Sequence, residues 1–540
     1  MLERLQQRLG LQTIPGIFFT SAGIAALFVA LAVPFDQQVA GSFGVLTGWV
    51  ARNLGWFYIL AVSSLLIFLL ALAASRYGTI RLGGDGSRPD YSNLTWFTML
   101  FAAGIGTILM FWGVAEPVSH FASPPFDGVQ PRTEKAASDA MTISLYHFGL
   151  HTWTIFAMPG LAIGYFAYRH NLPMRISSLF YPILGERAFG PWGWAIDVIA
   201  VLGTLFGVAT SLGLGTLQLN SGLNYLFGVP TNGFVQVVLI TVIASIAATS
   251  VALGLDKGVR RLSQLNIVLA IVLIVFVAAV GPTIFIAEGM VQSIGDYFDA
   301  LPWLAFWTET FKETDWQRKW TLFYWAWTIS WAPYVGIFIA RISRGRTIRE
   351  FVAGVLFAPT VFTLVWFGVF GLSAIQVESS GQVALAEQVQ QDPSVAIFAF
   401  LEAFPLADVA SALSVVIIVI FFTTSSDSAS LVIDTLTRRE DQPSQVHQRI
   451  FWAAAQGVVA ATLLLAGGLD ALQNVITSLG LPFCLLLLFM AVSLFRALRA
   501  DYRGYGVTDL VQGRAFPEVE ATDSESKQEK DYVPEAVDRH

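Results

Sequence analysis

Cysteine is almost missing from this 540-residue chain: Cys484 stands alone, which excludes an intrachain disulfide and a cysteine-rich metal site. Charge is scarce too. Asp, Glu, Lys and Arg make up 13% of residues against 55% hydrophobic ones, and the mean hydropathy is +0.62. A water-soluble chain of this length needs more polar surface, so the bilayer is the expected solvent. There is no short in–out alternation of the kind that marks a membrane β-barrel. There is no basic excess either. The net charge of −7 owes much to an acidic tail and offers nothing to a nucleic acid. No small-residue cleavage site follows the first apolar run, so that run reads as a retained helix.

What is present is a succession of apolar runs near 15–35, 55–75, 94–114, 141–166, 192–217, 233–253, 262–287, 319–340, 351–374, 406–434, 451–467 and 474–496. Each is close to the length that crosses hydrocarbon as an α-helix. The expected fold class is therefore an all-α membrane protein with twelve transmembrane helices. With the N-terminus inside, the loops on that side, from Arg4 and Arg8 to Arg449, hold eighteen Lys and Arg against six on the other. Both termini are then cytoplasmic. Residues 288–318 mix apolar and charged side chains and read as an amphipathic surface helix anchored by Trp303, Trp307 and Trp316. From about Ala515 the chain has the composition of a disordered tail.

Two spans look unlike lipid-facing helices. The third contains AAGIGTILMFWGVAEP, with Gly104, Gly106 and Gly113 ahead of Pro117; the eighth contains TLFYWAWTISWAPY and is expected to break at Pro333 and Gly336. Interrupted helices at corresponding positions of two halves point to a binding site at mid-membrane, whereas close packing through small residues also favours glycine. In the eighth span Trp327, Trp331 and Tyr334 share one helical face, with Thr328 beside them. Indole faces attract a quaternary ammonium through the ring quadrupole; an interfacial aromatic belt is the other use of membrane tryptophan, and it fits Trp316 and Trp320.

Residues 321–351, TLFYWAWTISWAPYVGIFIARISRGRTIREF, resemble the signature of the betaine/choline/carnitine transporter (BCCT) family. MFWGVAEP at 110–117 and FFTTSSDSAS at 421–430 are similar to two further motifs of that family. The likeness runs over about residues 15–500. It implies a leucine-transporter-like core of 5+5 inverted repeats, spans three to seven (93–287) and eight to twelve (319–500). Two peripheral helices lie within 1–92, the surface helix (288–318) falls between the repeats, and a cytoplasmic tail (501–540) follows. It also implies a homotrimer in a bacterial inner membrane, surrounded by lipid. The matching aromatic-box positions are Phe148, Trp153 and Phe156 in span four and Trp327, Thr328, Trp331 and Tyr334 in span eight. Relatives that carry betaine or carnitine commonly have tryptophan where this chain has Thr328, and also at Phe148. The exchange removes cage walls and adds a hydroxyl. A sulfonium, a cyclic or secondary amine such as proline or ectoine, or an amino-sulfonate such as taurine then competes with betaine as the small zwitterionic solute.

The resemblance also implies sodium as the coupling ion. One site matches carbonyls at Ala102, Ile105 and Phe421 with the hydroxyls of Thr424 and Ser425; the alternative for those hydroxyls is back-bonding to their own helix. A second site matches Thr204 and Tyr334, but Val208 stands where the family has another threonine, which leaves it an oxygen short. Proton-coupled relatives carry an Asp where this chain has Ile108, and sodium-independent exchangers an Arg in span seven, so both alternatives are weaker than sodium symport. Asp427 calls for a partner or water at membrane depth. His147 and His151 stand at metal-ligand spacing, with no third ligand evident, and are read as structural. They and Asp427 are the only candidates for a membrane enzyme, a remote reading without a nucleophile–base constellation.

Overall fold

A bilayer offers unpaired backbone groups no partner, so apolar runs satisfy themselves as helices. This computed structural model describes the chain except Met1, Ile105, residues 253–255, Glu313, residues 440–441 and residues 514–540. Among the described residues it contains helices and two isolated bridges, Thr13–Arg438 and Arg81–Thr347, and no strand. Among the described residues nine helices are long and apolar enough to cross a membrane. One of them, Val446–Asp501, turns sharply at Gly467 and Gly468 and supplies two spans. Gly468 has φ +58°, a left-handed conformation that glycine adopts without a Cβ clash. Two more spans complete the set: residues 93–122, described as helix at Asn93–Gly104 and Gly106–Ala122, and residues 134–170, where Glu134–Phe148 and Leu150–His170 meet at Gly149. Twelve spans result, as the apolar runs predict.

The element order repeats. Spans three and four are followed by short helical turns at 177–189, then Pro191–Phe227, Gly233–Ala252 and Asp256–Val280. Spans eight (Phe323–Ile342) and nine (Ile348–Ser380) are followed by short helices at 385–401, then Ala407–Thr437 and the two halves of Val446–Asp501. An odd number of spans in the first half makes the second start from the opposite face, so the repeat is inverted. Packing is reciprocal: span three lies on span nine, span eight lies on span four, and spans five and ten meet each other.

Several details differ from the sequence expectation. Span eight does not break at Pro333 or Gly336; it is one helix from Phe323 to Ile342, entered through a π-helical turn at Arg318–Leu322. Gly336 serves a close crossing instead, since a Cβ there would meet the Pro159 ring at 2.9–3.0 Å and the Gly160 nitrogen at 3.1 Å. The interruption falls in span four, at Gly149 (φ −93°, ψ −132°). The surface helix runs Thr283–Leu304, and only Trp303 faces outward; Trp307 and Trp316 turn in and pack together at 5.1 Å. The start of the tail region, Val507–Val511, is helical and packs against Gly185. The predicted disordered stretch from about Ala515 lies outside the described residues, as does Ile105.

At one face of the bundle Arg169, closing span four, grips both oxygens of Asp501 (2.5 and 3.0 Å) and one of Asp85 (2.7 Å). Span nine opens with a capping box in which Thr347 accepts from the Glu350 N–H while the Glu350 carboxylate accepts the Thr347 N–H.

Candidate functional site

Gly149 interrupts span four because no side chain fits: a Cβ would lie 2.4 Å from the Leu145 carbonyl and 3.0 Å from the Tyr297 hydroxyl. Interrupting a helix inside a membrane frees carbonyls, which then need other donors. Thr152 Oγ1 donates to the His147 carbonyl at 2.5 Å, and Thr363 Oγ1, from span nine, donates to the Phe148 carbonyl at 3.1 Å. The Leu150 N–H donates to Tyr297 of the surface helix at 3.2 Å.

Beside this break lies a small cavity of ≈ 20 Å³, lined by Ile108, Leu109, Phe148, Thr152, Trp153, Phe156, Thr328 and Thr363. That volume holds about one water, so a solute enters only when the walls part. Phe148, Trp153, Phe156 and Thr328, four of the seven expected box residues, come together here. Three threonines, Thr152, Thr328 and Thr363, share the lining, and their hydroxyl protons are all committed to backbone carbonyls, Thr328 to Tyr324 at 2.8 Å. With those protons used, the hydroxyl oxygens have only acceptor lone pairs left to offer. Ile108, Leu109, Thr152 and Thr363 were missed from the sequence. Thr152 lies one turn beyond Phe148 and was legible there; Thr363 sits on a span with no aromatic motif to flag it.

The other three expected residues face elsewhere. Trp327 Nε1 donates to the Gly207 carbonyl at 3.3 Å and to Ser211 Oγ at 3.1 Å in span five, and its ring stacks on Phe323. Trp331 presses on Gly207, where a Cβ would lie 2.9 Å from its ring, and meets Tyr334 edge-on at 5.5 Å. Trp327 and Trp331 meet span five, Tyr334 reaches Ser428 of span ten, and Thr328 meets the cavity.

For the sodium positions, the Phe421 ring lies against Gly106, where a Cβ would come within 2.0 Å of it. Spans three and ten therefore touch where the first site was expected. Thr424 Oγ1 is back-bonded to the Ile420 and Phe421 carbonyls at 2.9 and 3.1 Å, and Ser425 is half-buried. The backbone at Ala102 belongs to the helix Asn93–Gly104. Thr204 is fully buried, and its hydroxyl has no hydrogen-bond partner. Asp427 has the partner its depth demands: Arg449 reaches it at 3.4 Å. His151 stacks on Trp325 at 5.6 Å, as a structural residue does. His147, read with it, belongs to a different group: Glu116 accepts from its Nδ1 at 2.6 Å and Thr321 Oγ1 lies 2.9 Å from its Nε2.

Inverted repeats meeting at a cavity beside an interrupted apolar helix define a secondary transporter of the leucine-transporter type. Comparison with known proteins gives the particular family: residues 16–503 match the betaine/carnitine/choline family transporters, and the chain belongs to that family. It is 43% identical over 498 residues to an ectoine/glycine betaine/proline transporter of Corynebacterium glutamicum, spanning 91% of this chain and 81% of that one. It is 46% identical to a glycine betaine transporter of Acinetobacter baylyi (90% and 74% covered) and 41% identical to a high-affinity choline transport protein of Escherichia coli (91% and 73% covered). A solved structure of a Na⁺-coupled sialic acid symporter aligns at a TM-score of 0.46 with 14% identity, covering 84% of this chain and 89% of that one. The chain is a multi-pass membrane transporter and not an enzyme.

Proposed function

We propose that the chain imports a small zwitterionic compatible solute with sodium, by alternating access around the cavity at the span-four break. One observation carries the reading: Phe148, Trp153 and Phe156 line one cavity with three threonines whose hydroxyl protons are already used. The rings suit a methylated or cyclic ammonium, and the oxygens suit a solute that brings N–H donors. Ectoine and proline have such donors and glycine betaine has none. All three appear in the name of the Corynebacterium relative, and a site with this mixed lining is suited to the same breadth. A sulfonium or taurine is the less favoured occupant.

Sodium coupling is supported by Phe421, which lies against Gly106 of span three, and by the hydroxyl-bearing Thr424 and Ser425 that follow it on span ten, with Ala102 and Ile105 as the remaining positions the family resemblance gives. The Thr204–Tyr334 position is the weaker second site, since Val208 supplies no oxygen. The absence of Asp at Ile108 and of Arg in the apolar run 262–287 argues against proton-coupled symport and sodium-independent exchange. The proposal includes a bacterial inner-membrane location with both termini cytoplasmic, for which the Lys and Arg asymmetry speaks, and the division into repeats at 93–287 and 319–500. It also includes a homotrimer. Exposed Ile284, Val291, Ile294 and Phe298 of the surface helix recur at the three-, four- and seven-residue spacing of a helix–helix seam.

The test is tryptophan fluorescence of the purified protein, titrated with glycine betaine, dimethylsulfoniopropionate, ectoine, proline and taurine, with and without sodium. Saturable responses to betaine, ectoine and proline that need sodium are expected. Silence toward all five, or equal responses without sodium, refutes the reading.

A further inference from the structure

Beyond the solute cavity the bundle holds a second polar centre. Glu116 and His120 stand one turn apart on span three, and His147 ends the first half of span four. All three are buried, and one ligand-capable atom from each lies within 4.8 Å of the others. His147 Nδ1 is 2.6 Å from Glu116 Oε1, His120 Nε2 is 3.5 Å from the same oxygen, and Glu116 Oε2 makes no hydrogen bond. Trp316 and Trp320 cover the imidazoles, with ring centres 5.3 and 4.5 Å from His120.

The groups facing Glu116 come from each neighbouring element. Span three gives His120, span four His147, and span eight the Tyr324 hydroxyl, with Thr321 behind His147. Tyr146, His151 and Tyr297 lie behind the histidines. Span nine and the short helices at 385–401, which also pack on span three, set no charged group against the carboxylate, and no Lys or Arg pairs with it among the described residues. A carboxylate with no cation is expensive at this depth. One proton shared among Glu116 and the imidazoles turns the cluster into a neutral, cohesive carboxylate–imidazolium group.

We propose that Glu116, His120 and His147 form a proton-binding site, and that the bound proton clamps spans three, four and eight in the narrowed conformation. Each of those spans also lines the cavity. His147 adjoins Phe148 and the Gly149 break, and Tyr324 supplies the carbonyl that holds Thr328. Loss of the proton to water leaves an unbalanced buried carboxylate, which favours parting and hydration of the three spans. Since the solute enters only when the walls part, proton and solute oppose each other, and solute binding releases a proton by reciprocity.

The experiment uses the full chain in detergent and reads tryptophan emission without solute from about pH 5.5 to about pH 8.5, the window in which imidazoles charge. A single step is expected in the native protein and is lost in Glu116→Gln. His120→Asn, which keeps the carboxylate, moves the step along the pH axis; this variant also decides the matter if Glu116→Gln does not fold. No step, or the same step in every variant, overturns the proposal. Stoichiometric zinc binding that His120→Ala removes, without a pH step, also overturns it and makes the cluster a metal site. A second arm rests on the solute reading: betaine affinity rises by about fivefold from about pH 6 to about pH 8, and Glu116→Gln flattens that rise. If betaine is silent at every pH while the solute-free step is present, the solute reading has failed and the proton site stands.

Discussion

Thr328→Val separates the two halves of the proposed solute chemistry. In the native protein Thr328 Oγ1 donates to the Tyr324 carbonyl at 2.8 Å, so toward a solute the hydroxyl can only accept. Proline and ectoine carry N–H groups that reach such an acceptor, while the quaternary nitrogen of glycine betaine has no proton to give. Valine keeps nearly the same shape and removes the oxygen. One net hydrogen bond is worth about 0.5–1.5 kcal/mol, a loss of roughly 2- to 13-fold in affinity. Proline binding is expected to weaken by that factor, and betaine binding to change by less than about twofold or to strengthen slightly. Competition binding on the purified variant, with betaine and proline titrated against each other in saturating sodium, measures both. If the two solutes lose affinity equally, the hydroxyl donates to the carboxylate they share, and the acceptor reasoning is wrong.

Other substitutions test the scaffold and the ion. Gly336→Val pushes a side chain into the Pro159 ring and the Gly160 backbone, which have no room to move. It is expected to cost about 1–3 kcal/mol, seen as a lower thermal midpoint in detergent; an unchanged midpoint means the crossing is looser than described. Asp501→Asn removes the two-pronged partner of Arg169 and is expected to cost about 1–2 kcal/mol of stability, leaving solute affinity as it was. Thr424→Val removes one proposed sodium oxygen and is expected to raise the half-saturating sodium concentration by about tenfold. An unaltered sodium response assigns Thr424 to its helix alone, as its bonds to Ile420 and Phe421 would allow.

The sequence by itself determined the solvent, the number of spans and the family. Run length and polarity decide these locally: a stretch of about 20 apolar residues has one way to satisfy its backbone in hydrocarbon. The gap between the runs 451–467 and 474–496 marked the division of the last two spans, and the structure puts the bend there at Gly467 and Gly468. Tertiary structure decided which residues meet. Helical periodicity puts Trp327, Trp331 and Tyr334 on one face but does not say which neighbour each touches: Trp327 and Trp331 pack on Gly207 of span five and Tyr334 reaches Ser428 of span ten. The break in span four depends on Thr363, 215 residues away, and on the contacts that exclude a Cβ at Gly149. His147 looked like the partner of His151, four residues on. The break at Gly149 separates the two, and the group that completes His147 is Glu116, 31 residues earlier on another helix. Spacing along the chain records neighbours within one helix, whereas charge balance in a membrane is settled between helices.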